Sequence, residues 1–483
     1  MVTLNGVPSS PLHIDSWIAG RWVESTERRG VVDPGNGELI ADVSVADIPT
    51  CLAAVDAASW AFPTWRETAP RQRAEMLRLA YDLMIAEADD IATLIVRENG
   101  KVLADARNEV AYAAEFFRWF SEEAVRLDGD LRKAPAGANW IAVARQPVGV
   151  ALLLSPWNFP AAMLTRKIGP ALAAGCAVVL KPAAETPLTA MYLVELLGRA
   201  GVPAGVVNLV VPDPPGPAVE AMLGHRGVRK LSFTGSTPVG KLLLTQAARR
   251  VVNCSMELGG NAPFVVLADA DVDAAVEGAM IAKMRNGGAA CTAANRFIVD
   301  QTVADEFAEK LSARMTSLVV GYGLESASQV GALVSAAQQQ RVQGLVDRAL
   351  DDGATLVGRG TAPSVGCFVA PVVLDRVEAT SELFGTEIFG PVAPVYRVSG
   401  DDEALRLANA VEHGLVAYVY TRDIGRGLRF SQSIEAGMVG LNRGIVSDPS
   451  APFGGMKESG IGREGGHEGL LAFTETQYTS VSW

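Results

Sequence analysis

Gly149-Val-Ala-Leu-Leu-Leu154, Ala177-Val-Val-Leu180, Val206-Val-Asn-Leu-Val-Val211 and Lys230-Leu-Ser-Phe233 are short apolar runs, separated by helix-like segments near 160–174, 188–199 and 237–248. Continuous apolar runs of strand length that alternate with helices predict a parallel sheet covered on both faces. Outward from there, a second alternating region begins after 262 with Pro263-Phe-Val-Val-Leu267, a helix-like 271–285, and runs near 368–374 and 416–420. Residues 50–127 read as mostly helical: Ala69-Pro70 opens a long amphipathic stretch, and Gly100 sits where a helix should stop. Trp140-Ile-Ala-Val-Ala-Arg145 follows the turn-forming Pro135-Ala-Gly137 and predicts a hairpin. The tail 449–466 is glycine-rich, and 476–483 reads as one more strand. The architecture expected is two α/β domains plus a hairpin that can add to a neighbour's sheet.

The 483 residues carry 42 Lys and Arg against 54 Asp and Glu, a net charge of −12. That balance argues against a nucleic-acid partner, which needs a basic footprint. Residues 168–180 are too short an apolar stretch to span a bilayer. Met1 to Ser16 lacks the basic and apolar regions of a secretory signal. Five cysteines without CxxC spacing and four histidines without ligand spacing predict neither a disulfide framework nor a metal site. A cytoplasmic protein, with no membrane partner, is the expectation.

Ligands of open α/β sheets bind beyond the carboxyl ends of the strands. Three polar turns stand there: Ser155-Pro-Trp-Asn-Phe-Pro160, Lys181-Pro-Ala-Ala-Glu-Thr-Pro187, and Thr234-Gly-Ser-Thr-Pro-Val-Gly240-Lys241, the last running directly into a helix. Free N–H groups at that helix start suit a pyrophosphate. It is no P-loop, because Leu242 replaces the Ser or Thr that would hold magnesium. Gly460-Ile-Gly-Arg-Glu-Gly465 matches GxGxxG, but without a preceding strand it reads as a flexible turn. Cys51, Cys176, Cys254 and Cys367 read as small buried hydrophobes. Cys291 is set among small residues, with Arg285 and Arg296 available to favour a thiolate; it is either a nucleophile or one more core cysteine. Glu257 in Glu257-Leu-Gly-Gly-Asn261 is either a general base raised by burial or a turn-capping carboxylate. Asn158 is either an oxyanion donor or the satisfier of its own turn.

In order, Ser155–Pro160, Lys181-Pro182, Phe233-Thr-Gly-Ser-Thr237, Glu257–Gly260, Cys291, Glu387-Ile-Phe-Gly-Pro391 and Pro452-Phe-Gly-Gly455 resemble the motif series of the aldehyde dehydrogenase superfamily, from about Trp17 to Val481. The resemblance implies a Rossmann-like cofactor domain (1–127 and 148–256, with part of 448–470), an α/β catalytic domain (257–447) and a small β-hairpin oligomerisation element (128–147 and 471–483). It implies a homodimer or homotetramer. It further implies that Cys291 attacks an aldehyde, that Asn158 and the Cys291 N–H hold the oxyanion, and that Glu257 activates the hydrolytic water. NAD(P) is the implied cofactor, with Trp157, Lys181, Ala184, Gly235, Ser236, Glu387 and Phe389 around it.

Phe159 to Gly175, Glu257 to Val265, Arg285-Asn286, and Ser447 ahead of Ala451-Pro-Phe-Gly454 are similar to the succinate-semialdehyde dehydrogenase branch. That likeness implies that Arg166, Arg285 and Ser447 bind a substrate carboxylate; the other reading of Arg166 is a structural ion pair. The alternatives are glutarate semialdehyde, uncharged aldehydes, and a catalytically impaired scaffold. A cofactor-free cysteine hydrolase would need a histidine beside Cys291, and all four are remote in sequence. Three departures stand out. Ala289 replaces the usual Gln or Glu, Ala293 removes the second cysteine of a redox switch, and Ala184 removes a carboxylate that meets the cofactor ribose in NAD-preferring relatives. The last predicts that NADP is tolerated.

Overall fold

The computed structural model describes residues 12–482; the expectations for 1–11 and 483 lie outside the described residues. Val150–Leu154 is the centre of an eight-stranded sheet, and each of its residues is buried, as a strand covered on both faces requires. From there the chain steps to Ala177–Lys181 and Val207–Leu209 on one side. It then crosses back to Val228–Thr234 and Asn253–Glu257 on the other, all in parallel. Strand order therefore reverses between Val150–Leu154 and Val228–Thr234, and a crevice opens at their carboxyl ends.

The helix Ala162–Ala174 follows the central strand and is buried around its whole circumference, Arg166 and Lys167 included. It stops at Gly175, whose φ of 94° suits glycine at a helix end. The glycine-rich tail corrects the expectation of a flexible turn. Gly460–Ile461 pairs antiparallel with Met256 and Glu257, closing the sheet edge. Glycine at 460 permits this, since its φ is 144° and a Cβ would collide with the Met256 carbonyl.

Leu258-Gly-Gly-Asn261 links this sheet to a second, seven-stranded one that begins at Ala262–Val266. Within it, the run expected near 368–374 forms a strand only over Val372–Asp375, because Pro371 has no N–H for the ladder. Asp130–Lys133, Trp140–Pro147 and Thr474–Val481 make a separate antiparallel sheet of three strands. Both large sheets are clothed by helices, so the fold is α/β.

Candidate active site

The crevice is a cavity of about 290 Å³ whose walls include Asn158, Arg166, Glu257, Cys291, Glu387 and Phe389. The first sheet meets it with strand carboxyl ends, the second with the segments leading into Ala294–Asp300 and Val392–Val398. One wall therefore carries Asn158 and Glu257, the other Cys291 and Glu387.

Cys291 follows a tight turn in which Asn286 and Gly287 take left-handed φ values of 55° and 59°. Asparagine tolerates that conformation better than most residues. The Ala289 carbonyl in this loop accepts two amide hydrogens, from Asn286 Nδ2 at 2.9 Å and Asn158 Nδ2 at 3.1 Å. The amide singled out as an oxyanion donor thus lies against the loop carrying the cysteine. Burial pushes the Cys291 thiol up to about 12, and Arg166 is the leading opposing charge. Arg296 does not play the part expected of it. Its guanidinium is turned to the carbonyls of Asn261, Leu407 and Ala408, where it ties the segment after Glu257 to the helix Asp401–Asn409.

Glu257 ends its strand with both carboxylate oxygens buried and without a hydrogen-bond partner. Burial and the nearby Glu464 hold its pKa well above the ordinary carboxylate range. Glu464 is itself paired with Lys167 Nζ at 2.5 Å, which also donates to Ser232 Oγ at 3.0 Å. Glu464 lies in the glycine-rich stretch that reads as a turn, so nothing local in the sequence marks it. Two adjacent cations, Arg166 and Lys167, in a helix otherwise made mostly of apolar and small residues are the signal for a buried carboxylate.

The three residues expected to hold a substrate carboxylate divide between two cavities. Arg166, 2% exposed, opens into the cavity of Cys291. Its Nη2 donates to Tyr112 Oη at 2.6 Å and its guanidinium lies 4.0 Å from the Phe453 ring centre. Its Nε and Nη1 have no hydrogen-bond partner, the Glu464 carboxylate standing 3.8 Å from Nη1. Arg285 and Ser447 line a second cavity of about 430 Å³, where Arg285 lies 5.1 Å over the Phe159 ring. Tyr112 also walls that second cavity.

The residues present fit a dinucleotide. The helix Thr237–Ala248 begins at exposed Ser236 with no side-chain cap, leaving its first N–H groups for a phosphate. Thr234 Oγ1, on the cavity wall, is buried without a partner. A Cβ on Gly259 would stand 2.9 Å from Glu387 Oε2, so glycine keeps this approach open. Gly235 and Phe389 also line this end, and the Trp157 ring meets Phe389 edge-on at 5.5 Å. Glu387 accepts from the Gly260 N–H at 3.1 Å, and burial pushes its carboxyl up to about 7. Lys181 sits at its strand's carboxyl end, its pKa lowered by burial, with Ala184 half-buried three residues on. Cys51 and Cys176 are buried, while Cys254 and Cys367 are half-buried, less enclosed than expected. Among the described residues no cluster of three or more His, Cys, Asp or Glu could hold a metal. Among the described residues no helix is long and apolar enough to cross a membrane.

Residues 22–479 match the model of the aldehyde dehydrogenase family. A succinate-semialdehyde dehydrogenase of Paenarthrobacter nicotinovorans is 52% identical over 92% of this chain and 99% of its own. A glutarate-semialdehyde dehydrogenase of Pseudomonas putida is 44% identical over 97% of each. A crystal structure of succinate-semialdehyde dehydrogenase from Burkholderia pseudomallei superposes with a TM-score of 0.95 at 44% identity, covering 97% of this chain and 98% of that one. The motif order, the two-sheet crevice and these matches agree: the chain belongs to the aldehyde dehydrogenase family.

Proposed function

We propose that this enzyme oxidises succinate semialdehyde to succinate with NAD(P). The observation that carries the substrate is Arg166, a buried cation on the wall of the cavity that holds Cys291, whose Nε and Nη1 have no hydrogen-bond partner. Glu464, 3.8 Å from Nη1 and itself paired with Lys167, leaves those nitrogens without a hydrogen bond, and a substrate carboxylate would supply charge-assisted ones. An uncharged aldehyde leaves the guanidinium as it stands.

Cys291 Sγ attacks the carbonyl carbon, with Arg166 the charge that most favours its thiolate. Asn158 Nδ2, turned from Ala289 O to the new oxyanion, and the Cys291 N–H hold the developing charge. The dinucleotide, when bound, supplies the two-electron acceptor that converts the adduct to a thioester. Glu257 then takes a proton from water as its oxygen adds to the thioester carbon, and Cys291 departs as thiolate. A carboxylate kept basic by burial suits that step. Ser236 and the helix start it precedes would hold the diphosphate, and Glu387 a ribose. Lys181 beside Ala184 supports tolerance of a 2′-phosphate. The open edges of the three-stranded sheet support a homodimer or homotetramer formed by strand addition.

A second reading, glutarate semialdehyde, is favoured by Arg285 and Ser447, which offer another anionic seat beyond Tyr112. Reduced-cofactor absorbance decides between these readings when succinate semialdehyde, glutarate semialdehyde and hexanal are each supplied with NAD or NADP. The four-carbon acid aldehyde should give the highest kcat/KM. Equal rates with hexanal would refute the carboxylate reading.

A further inference from the structure

One short stretch, 98–109, reaches both walls of the crevice. Asn99 Nδ2 donates to Trp157 O at 2.9 Å, and Lys101 Nζ donates to Asn158 O at 2.8 Å. Asp105 Oδ2 accepts the Asn286 N–H at 3.0 Å. Glu109 Oε1 accepts the N–H groups of Ala161 and Ala162 at 2.8 and 3.3 Å, where the helix carrying Arg166 begins. Lys101 and Glu109 are joined at 2.5 Å, with side chains 2% and 0% exposed. The third face of the ammonium is covered by the Phe159 ring at 4.3 Å.

A fully buried lysine–glutamate pair is poor value for stability, since apolar side chains of similar volume often serve as well. What this pair does is specific. The Asn158 carbonyl accepts from two donors at once, Lys101 Nζ and Asn286 Nδ2, and Asn286 also binds Ala289 O, the resting acceptor of the Asn158 amide. Both ends of Asn158 are therefore referenced to the loop that carries Cys291, and the backbone end is held by a charge.

We infer that Lys101, held by Glu109 and assisted by Asn286, is a positioning residue that aims the Asn158 amide at the reacting oxygen. The inference rests on Asn158 being the oxyanion donor. Displacing a reacting group by about 1 Å costs on the order of a hundredfold in rate, so a two-donor anchor on this residue has a purpose that packing alone does not supply.

The test is a double-mutant cycle between Asn158→Ala and the charge-free pair Lys101→Met/Glu109→Gln, whose glutamine carbonyl can still cap the helix. The pair variant should lower kcat by about ten- to a hundredfold with KM for the aldehyde little changed. Cofactor affinity by fluorescence titration and the rate of Cys291 alkylation by iodoacetamide should stay at the parent values. Added to Asn158→Ala, the pair variant should slow turnover no further. Multiplicative losses, a change confined to KM, or parent-like kcat would overturn the positioning role while leaving Asn158 in place. A fully active Asn158→Ala would instead overturn the oxyanion reading beneath it. Should the pair variant not fold, Asn286→Ala, which removes the other donor, enters the same cycle with the same expected non-additivity.

Discussion

Arg166 and Arg285 are the same side chain in neighbouring cavities, and their surroundings give them different work. Arg166 is buried among Tyr112, Phe116 and Phe453, with Nε and Nη1 lacking a hydrogen-bond partner. Arg285 is half-exposed over Phe159, beside Ser447. A cation in water gains little from an anion, because solvent already screens and solvates it. A cation with unpaired donors inside a closed wall gains a great deal. On the proposed reading Arg166 serves the chemistry in its cavity, and Arg285 what approaches through the other.

The sharpest way to break that distinction is to remove the nucleophile from the Arg166 side. Cys291→Ala should lower aldehyde oxidation by more than about a thousandfold, measured as reduced-cofactor absorbance; retained activity would move the chemistry elsewhere. Glu257→Gln in the same cavity should give a burst of reduced cofactor matching the number of active sites and then stall, visible by stopped flow. Asn158→Ala should reduce kcat by about a hundred- to a thousandfold, with little change in KM.

A smaller effect separates the cofactor end from the substrate end. The Glu387 carboxyl, ordinarily near 4.5, is pushed up to about 7 by burial. Between those values the folded chain keeps a proton that the unfolded chain releases. Stability therefore falls as pH rises through that window and stays reduced above it. Without cofactor, Glu387→Gln should be more stable than the parent at about pH 8, by on the order of 3 kcal/mol at most, and close to it near pH 5. Thermal unfolding at the two pH values checks the sign. Smallest of all, Ala184→Glu should shift the ratio of NADP to NAD affinity by about tenfold towards NAD, since each 1.4 kcal/mol of repulsion is one decade. Fluorescence titration measures it, and both arginines should be indifferent to it.

The parallel sheet was legible because its strands are continuous apolar runs, and the turns after Leu154, Leu180 and Phe233 are where ligands must sit. Cys291, Glu257 and Asn158 are legible as chemistry-bearing types in unusual settings, while their meeting in one site followed from the resemblance of the motif series and not from their spacing. The network behind them was harder to see. Lys101 and Glu109 pair across a helix start, and Lys167 finds Glu464 far along the chain. No local pattern announces a partner at that separation. Arg296 was misread for a related reason. Closeness to Cys291 in sequence says nothing about direction in a strand, where successive side chains point to opposite faces.

The central claim is that Arg166 seats the substrate's charge. The direct measurement is the ratio of kcat/KM for succinate semialdehyde to that for hexanal, in the parent, Arg166→Met and Arg285→Ala. A lost charge-assisted bond of about 1.5–3 kcal/mol predicts a fall in the ratio of about ten- to a hundredfold for Arg166→Met. Arg285→Ala should lose less. A ratio unchanged in Arg166→Met, or one that falls further in Arg285→Ala, would contradict the account.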